Sequence, residues 1–134
     1  MTMERINPDS LYDAVSYGFS HASLQDGGKT IHLAGQVAWD ADHNVVGPDD
    51  LAAQTRQVLD NLRAVLVAAG ATPSDVVRLR TYVVDHRPEK LGIIVPEIAK
   101  FYGEVDPAPN TLVGVAALAL PDFLIEIEAT AAIS

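Results

Sequence analysis

The chain contains no cysteine. Disulfides, thiolate metal sites and a cysteine nucleophile are therefore excluded. Cations are scarce: nine lysines and arginines face eighteen aspartates and glutamates, for a formal charge of -9. Binding a nucleic-acid backbone needs clustered cations that displace counterions, and no cluster occurs. That weighs against nuclease or RNA-binding roles. Long apolar runs are also missing. The longest, Val113 to Leu120 with Gly114 inside it, is far short of a membrane span. The start, Met1 to Pro8, has no apolar core of signal-peptide length. The expectation is a soluble protein with no membrane partner, able to fold in a reducing cytoplasm.

What is present suits one domain. The 134 residues are 49% hydrophobic, enough for a core without covalent staples. No repeat or low-complexity linker divides residues 1–134. Tyr17 to Leu24 reads as a short, mixed segment. Asp26-Gly27-Gly28-Lys29 follows as a hairpin-type turn, since glycine supplies the positive φ such turns need. Thr30 to Val37 alternates as a strand, with Ile31, Leu33, Gly35 and Val37 on one face and His32, Ala34 and Gln36 on the other.

Asp49 to Ala69 carries Leu51, Val58, Leu59, Leu62, Val65, Leu66 and Ala69 at helical spacing. Pro48-Asp49-Asp50 supplies its start and an acidic first turn, and Gly70 its stop. Asp75 to Asp85 reads as a strand. Pro88 to Tyr102 reads as a second helix that Pro96 should kink or restart. Leu112 to Leu118 and Phe123 to Ile133 complete the strands.

The order is β-β-α-β-α-β-β, with room for one more strand before residue 17. Two helices cover one face of such a sheet. The other face stays open, with Ala, Val and Leu exposed, which points to a subunit interface.

Several segments carry a family resemblance in their order and spacing. They include Phe19-Ser20-His21-Ala22, Leu33-Ala34-Gly35-Gln36, Gln57 to Gly70 with Asn61-Leu62, and Ser74-Asp75-Val76-Val77. Thr81-Tyr82-Val83-Val84-Asp85, Pro107-Ala108-Pro109 and Glu126-Ile127-Glu128-Ala129-Thr130-Ala131 follow in turn. Along nearly its whole length the chain resembles the Rid (YjgF/YER057c/UK114) family. The resemblance implies an α/β, chorismate-mutase-like fold, a homotrimer with a central sheet barrel, and a small-molecule cleft at each subunit boundary. It also implies hydrolysis of enamines or imines to a carbonyl compound and ammonia, without metal or organic cofactor.

In active relatives an arginine of a Pro-Ala-Arg-Ser-like motif grips the substrate carboxylate, and a glutamate of a Glu-Ile-Glu motif positions water. Here Glu126 and Gly35 match. Asn110 is read at the arginine position, Ala34 at a serine and Phe19 at a tyrosine for which Tyr17 could substitute. An amide carries no charge and cannot replace a bidentate arginine. The expected substrate therefore lacks the carboxylate, or the cleft no longer does this chemistry.

Each candidate also has a plainer reading. Glu126 could be a solvated strand glutamate like Glu128. Asn110 could be a turn residue after Pro109. His21 follows the Phe19-Ser20 motif and is the second candidate for general base. His32 could line a pocket or sit on the surface. His43 lies in the polar loop Asp40 to Asn44. The four histidines, which include His86, lack metal-ligand spacing, and the acidic loop lacks calcium-site spacing. Arg78 and Arg80 share a strand face, where ion pairing with acids is the plain reading; Arg87 is a further cation. Two functions stand open: a small-molecule hydrolase of the enamine or imine deaminase kind, and a non-catalytic ligand-binding or protein-interacting trimer. An RNA-cleaving role, attached to some relatives, is opposed by the charge.

Overall fold

The computed structural model describes residues 1–134. Its strands are β1 (Thr2–Ile6), β2 (Ala22–Asp26), β3 (Lys29–Gln36), β4 (Val76–Val84), β5 (Asn110–Val115) and β6 (Ile125–Ile133). The helices α1 (Leu51–Ala68) and α2 (Leu91–Tyr102) flank β4 in sequence. The strand expected before residue 17 is β1.

Four strands form the main sheet in the order β3-β6-β4-β5. β6 runs antiparallel to both β3 and β4, and β4 runs parallel to β5. A parallel pair cannot be joined by a tight turn, and α2 supplies the crossover. Both helices cover one face. Val58, Leu59, Leu62 and Leu66 of α1 are buried against it, as are Ile94 and Ile98 of α2. The sheet contributes Leu79, Val83, Ile125 and Ile127 to the same core. Val65 sits at the edge of the expected helical stripe and stays exposed.

The start of α1 differs in detail from the expected acidic first turn. Asp50 is the cap itself, its carboxylate accepting from the Ala53 N–H at 3.0 Å. Gly70 ends the helix with φ +77°, as its position required. In the second helix Pro88 opens a 3-10 turn, Pro88–Lys90, that runs into α2. Pro96 neither splits nor restarts α2. It removes a single backbone bond, and buried Ile94, Ile98 and Phe101 hold the helix on either side.

Two strand boundaries move. Tyr17 ends a 3-10 turn, Val15–Tyr17, and β2 begins only at Ala22. β5 begins at Asn110 rather than Leu112, because pairing with β4 starts at Leu79 and ends at Val84 opposite Val115. The Gly27-Gly28 turn forms with φ +78° and +86°. The strands it joins are nevertheless not partners: β2 pairs with β1, and β3 with β6. The β1–β2 ribbon crosses to the start of β4, where the Ser23 hydroxyl donates to the Val77 carbonyl at 2.7 Å.

The uncovered sheet face is not the apolar surface expected. It presents Arg78, Arg80 and Tyr82 of β4 beside Glu126, Glu128 and Thr130 of β6, with exposed His32 at the β3 edge. The aliphatic residues of these strands turn inward, and Val113 of β5 is the one large apolar residue of the four-stranded sheet left exposed. Strict alternation assigns β-branched and aliphatic residues to the helix side and leaves the polar set outside.

Candidate functional site

Glu126 stands on the open face of β6, opposite Tyr82 of β4. On its other side β3 carries a bulge between Leu33 and Gln36. The bulge breaks the simple alternation and turns Gly35 out of the face it would share with Leu33. Gly35 thereby offers a bare Cα to the Glu126 side chain. A Cβ there would lie 2.8 Å from Glu126 Cδ and 2.9 Å from its Cγ. The carboxylate is laid across the one position of β3 that has no side chain.

Partial burial raises the Glu126 pKa above its ordinary value, and the negative charge of Glu128 raises it further. Glu128 is held in place by the Tyr82 hydroxyl, which donates to its Oε1. Ala34, next to Gly35, is exposed. An open groove of about 560 Å³ leads from Gly35 past Trp39, His43 and Asn61. Asn61 Nδ2 donates to the carbonyls of Val37 and Trp39, each at 3.0 Å, and so fixes the chain beyond the bulge. Trp39 packs edge-on to Phe123 and to exposed His43.

A second cavity, of about 580 Å³, lies at the β5 edge of the sheet. Tyr12, Tyr17 and Phe19 form one wall, and Leu91, Ile94, Val95 and Ile98 of α2 form another. Asn110, Thr111 and Leu112 complete it. The Asn110 side chain turns toward the helices, where the buried Thr81 hydroxyl donates to its Oδ1 at 3.1 Å. No charged residue lines the cavity.

His21 stands behind the aromatic wall. Its ring packs edge-on to Tyr12 at 4.7 Å, and Nε2 lies 2.8 Å from the Tyr12 carbonyl oxygen. A carbonyl only accepts, so Nε2 carries the proton. The His21 N–H donates to Asn7 Oδ1 at 2.9 Å, and Asn7 Nδ2 donates to the Ser20 hydroxyl at 3.1 Å. These bonds brace the loop that presents Tyr12, Tyr17 and Phe19.

The candidate residues thus fall into two groups. Glu126, Gly35 and Ala34 belong to the open face. Tyr17, Phe19 and Asn110 belong to the cavity on the helix side, with His21 supporting its wall. Tyr12, Asn7 and Trp39 were not identified from the sequence. Tyr12 lies in a stretch without periodicity and carries no signal there, whereas Trp39, the single tryptophan, could have been singled out. Counted from Pro107-Ala108, the third place of the Pro-Ala-Arg-Ser pattern falls on Pro109 and the fourth on Asn110. On either count no cation stands there. Arg78 and Arg80 do not form the ion pairs expected of them. The ion pairs are Arg56–Glu97, Lys100–Glu97 and Arg87–Asp85. Arg80 faces Glu128 in register, but Tyr82 holds that carboxylate.

Residues 13–133 match the family model described as endoribonuclease L-PSP. A RutC family protein of Pyrococcus horikoshii is 38% identical over 106 residues, covering 78% of this chain and 79% of that one. The chain therefore belongs to the Rid (YjgF/YER057c/UK114) family. Among solved structures, the Rid protein YyfB of Yersinia pestis, of unknown function, is 58% identical. It superimposes with a TM-score of 0.97 over 99% of this chain and all of that one. E. coli TdcF with bound serine is 27% identical, with a TM-score of 0.70 over 82% of this chain and 85% of that one.

Proposed function

We propose that the protein is a Rid-family small-molecule hydrolase that deaminates an enamine or imine lacking the usual carboxylate. The observation that carries this reading is Glu126: a carboxylate of raised pKa laid against the bare Cα of Gly35. A carboxylate in that state can hold water and is a stronger base toward it than an ordinary glutamate. As the water oxygen attacks the imine carbon, Glu126 takes its proton. That proton passes to the nitrogen and gives a carbinolamine. Glu126 then carries the hydroxyl proton to the nitrogen as well, the C–N bond breaks, and a carbonyl compound and ammonia leave, an enamine having first gained a proton at carbon to become the imine. Neither metal nor organic cofactor is required by this sequence of steps.

Glu126 and Asn110 lie on opposite faces of one sheet, with β4 between their strands. A site that uses both needs two chains. We place it at the subunit boundary of a homotrimer, where the open face of one chain meets the cavity edge of the next. His21 then acts as a positioning residue, because its protonated Nε2 is spent on the Tyr12 carbonyl.

The test is ammonia release from imines generated in situ, with and without a carboxylate, catalysed by wild type and by Glu126→Gln. Acceleration by wild type on carboxylate-free imines, lost at least a hundredfold in the variant, is expected. No acceleration over buffer on any imine would sink the reading. It would leave the second one, a ligand-binding trimer, which is favoured by the absence of any charged group around the 580 Å³ cavity.

A further inference from the structure

We propose that the cavity beside α2 binds an uncharged molecule with an aromatic or branched apolar body and one carbonyl oxygen, which Asn110 Nδ2 holds. The inference rests on reading this cavity as part of the ligand site, and it names the class of ligand.

The walls set the body of the ligand. Ile94 and Ile98 are fully buried at the floor, and three aromatic rings stand opposite. Tyr12 meets Tyr17 at 6.4 Å and Phe19 at 6.3 Å between ring centroids, both edge-on, so the wall is shaped before any ligand arrives. A concave, mostly apolar space of about 580 Å³ has the size of a small-molecule site.

The polar end is set by Asn110. Its Oδ1 already accepts from Thr81, whose side chain is fully buried on the helix face. The Nδ2 end is left to serve the cavity, and an amide nitrogen can only donate. Its partner must be an acceptor.

Charge is excluded by what is missing. A carboxylate would enter an apolar space whose own lining holds no cation, and would lose its water there uncompensated. The chain's formal charge of -9 repels an anion further. An ammonium would suit the aromatic wall but would face the donor end of Asn110.

Three matched probes separate these cases: phenylacetamide, phenylacetate and phenethylamine, titrated calorimetrically into the full chain. Saturable binding of phenylacetamide is expected, with each charged probe at least tenfold weaker. Asn110→Leu should weaken phenylacetamide about fivefold, the contribution of one neutral hydrogen bond. Because that variant also strips Thr81 of its partner, Tyr17→Ala at the exposed rim serves as the second. It should weaken phenylacetamide without lowering the melting temperature. Phenylacetate or phenethylamine binding as tightly as the amide would overturn the proposal, and so would no binding of any probe. Phenylacetamide binding without ammonia release from any imine would sink the hydrolase reading alone. Faster turnover of carboxylate-bearing imines than of neutral ones would sink the neutral ligand class, and with it the carboxylate-free substrate, while leaving the hydrolytic chemistry of Glu126 standing.

Discussion

Burial and Glu128 both favour the protonated form of Glu126, and this has two consequences of opposite sign. A base must be ionised to accept a proton. The rate should therefore rise with pH through a value above the ordinary glutamate range, and Glu128→Gln should move that rise to lower pH. Stability runs the other way. A carboxyl whose pKa is higher folded than unfolded contributes stability that is complete below the unfolded value. That contribution is lost as pH rises through the folded value. Wild type should thus lose stability relative to Glu126→Gln across that window, as denaturant titrations at several pH values would register. At Gly35 the added methyl of Gly35→Ala meets the flexible end of Glu126 rather than backbone. Activity should fall at least tenfold for a cost of only about 1 kcal/mol in chemical denaturation. Glu126 and Gly35 were both legible in the sequence through family motifs. Their contact was not, because it depends on a bulge that no local pattern announces.

Elements were largely legible where one face is buried. The three-and-four spacing of Val58, Leu59, Leu62 and Leu66 specifies α1, since those positions must share a face. Boundaries moved where tertiary partners decide them. β5 extends to Asn110 because β4 offers it a ladder there. The strand expected from Tyr17 became an aromatic loop because Asn7 and the Ala108 carbonyl hold it, the latter accepting from Ser20 N–H at 3.2 Å. One polar residue ties α1 to the chain entering β6. Gln54 is fully buried. Its Nε2 donates to the Gly47 and Asp122 carbonyls at 3.1 and 3.0 Å, and its Oε1 accepts from the Leu124 N–H at 2.9 Å. Gln54→Leu would leave the Asp122 carbonyl and the Leu124 N–H unpaired, while the Gly47 carbonyl keeps its bond from the Asp50 N–H. A loss of about 3 kcal/mol is expected, visible as a fall of roughly 10 °C in melting temperature.

At the scale of the molecule, the sheet divides the candidate site. The open face also carries Arg78 and Arg80 without ion-pair partners, beside Glu126 and Glu128. Such a face suits a polar, salt-sensitive contact between copies better than the apolar seam first expected. Light scattering should give three times the 14.3 kDa chain mass at low ionic strength. A clean monomer would remove the shared cleft. Mixing tests the division of labour directly. Glu126→Gln and Asn110→Arg chains are each expected to be inactive on neutral imines. Refolded together in equal amounts, they should regain about a quarter of wild-type activity, since each two-chain site draws an intact half from each neighbour with even odds. No recovery would place both residues' work within one chain.

The sequence by itself determined the fold class, the element order and the family, along with the absence of thiol chemistry. It also determined that no arginine follows Pro107-Ala108. These are matters of composition, period and motif, which read along the chain. Only the tertiary structure decided that the open face is charged, and that Gly35 lies under Glu126. It also showed that β2 leaves β3 for β1, and that Asn110 and Glu126 lie on opposite faces. Each of these depends on register between strands distant in sequence, where one bulge or one residue of offset exchanges the two faces of a sheet.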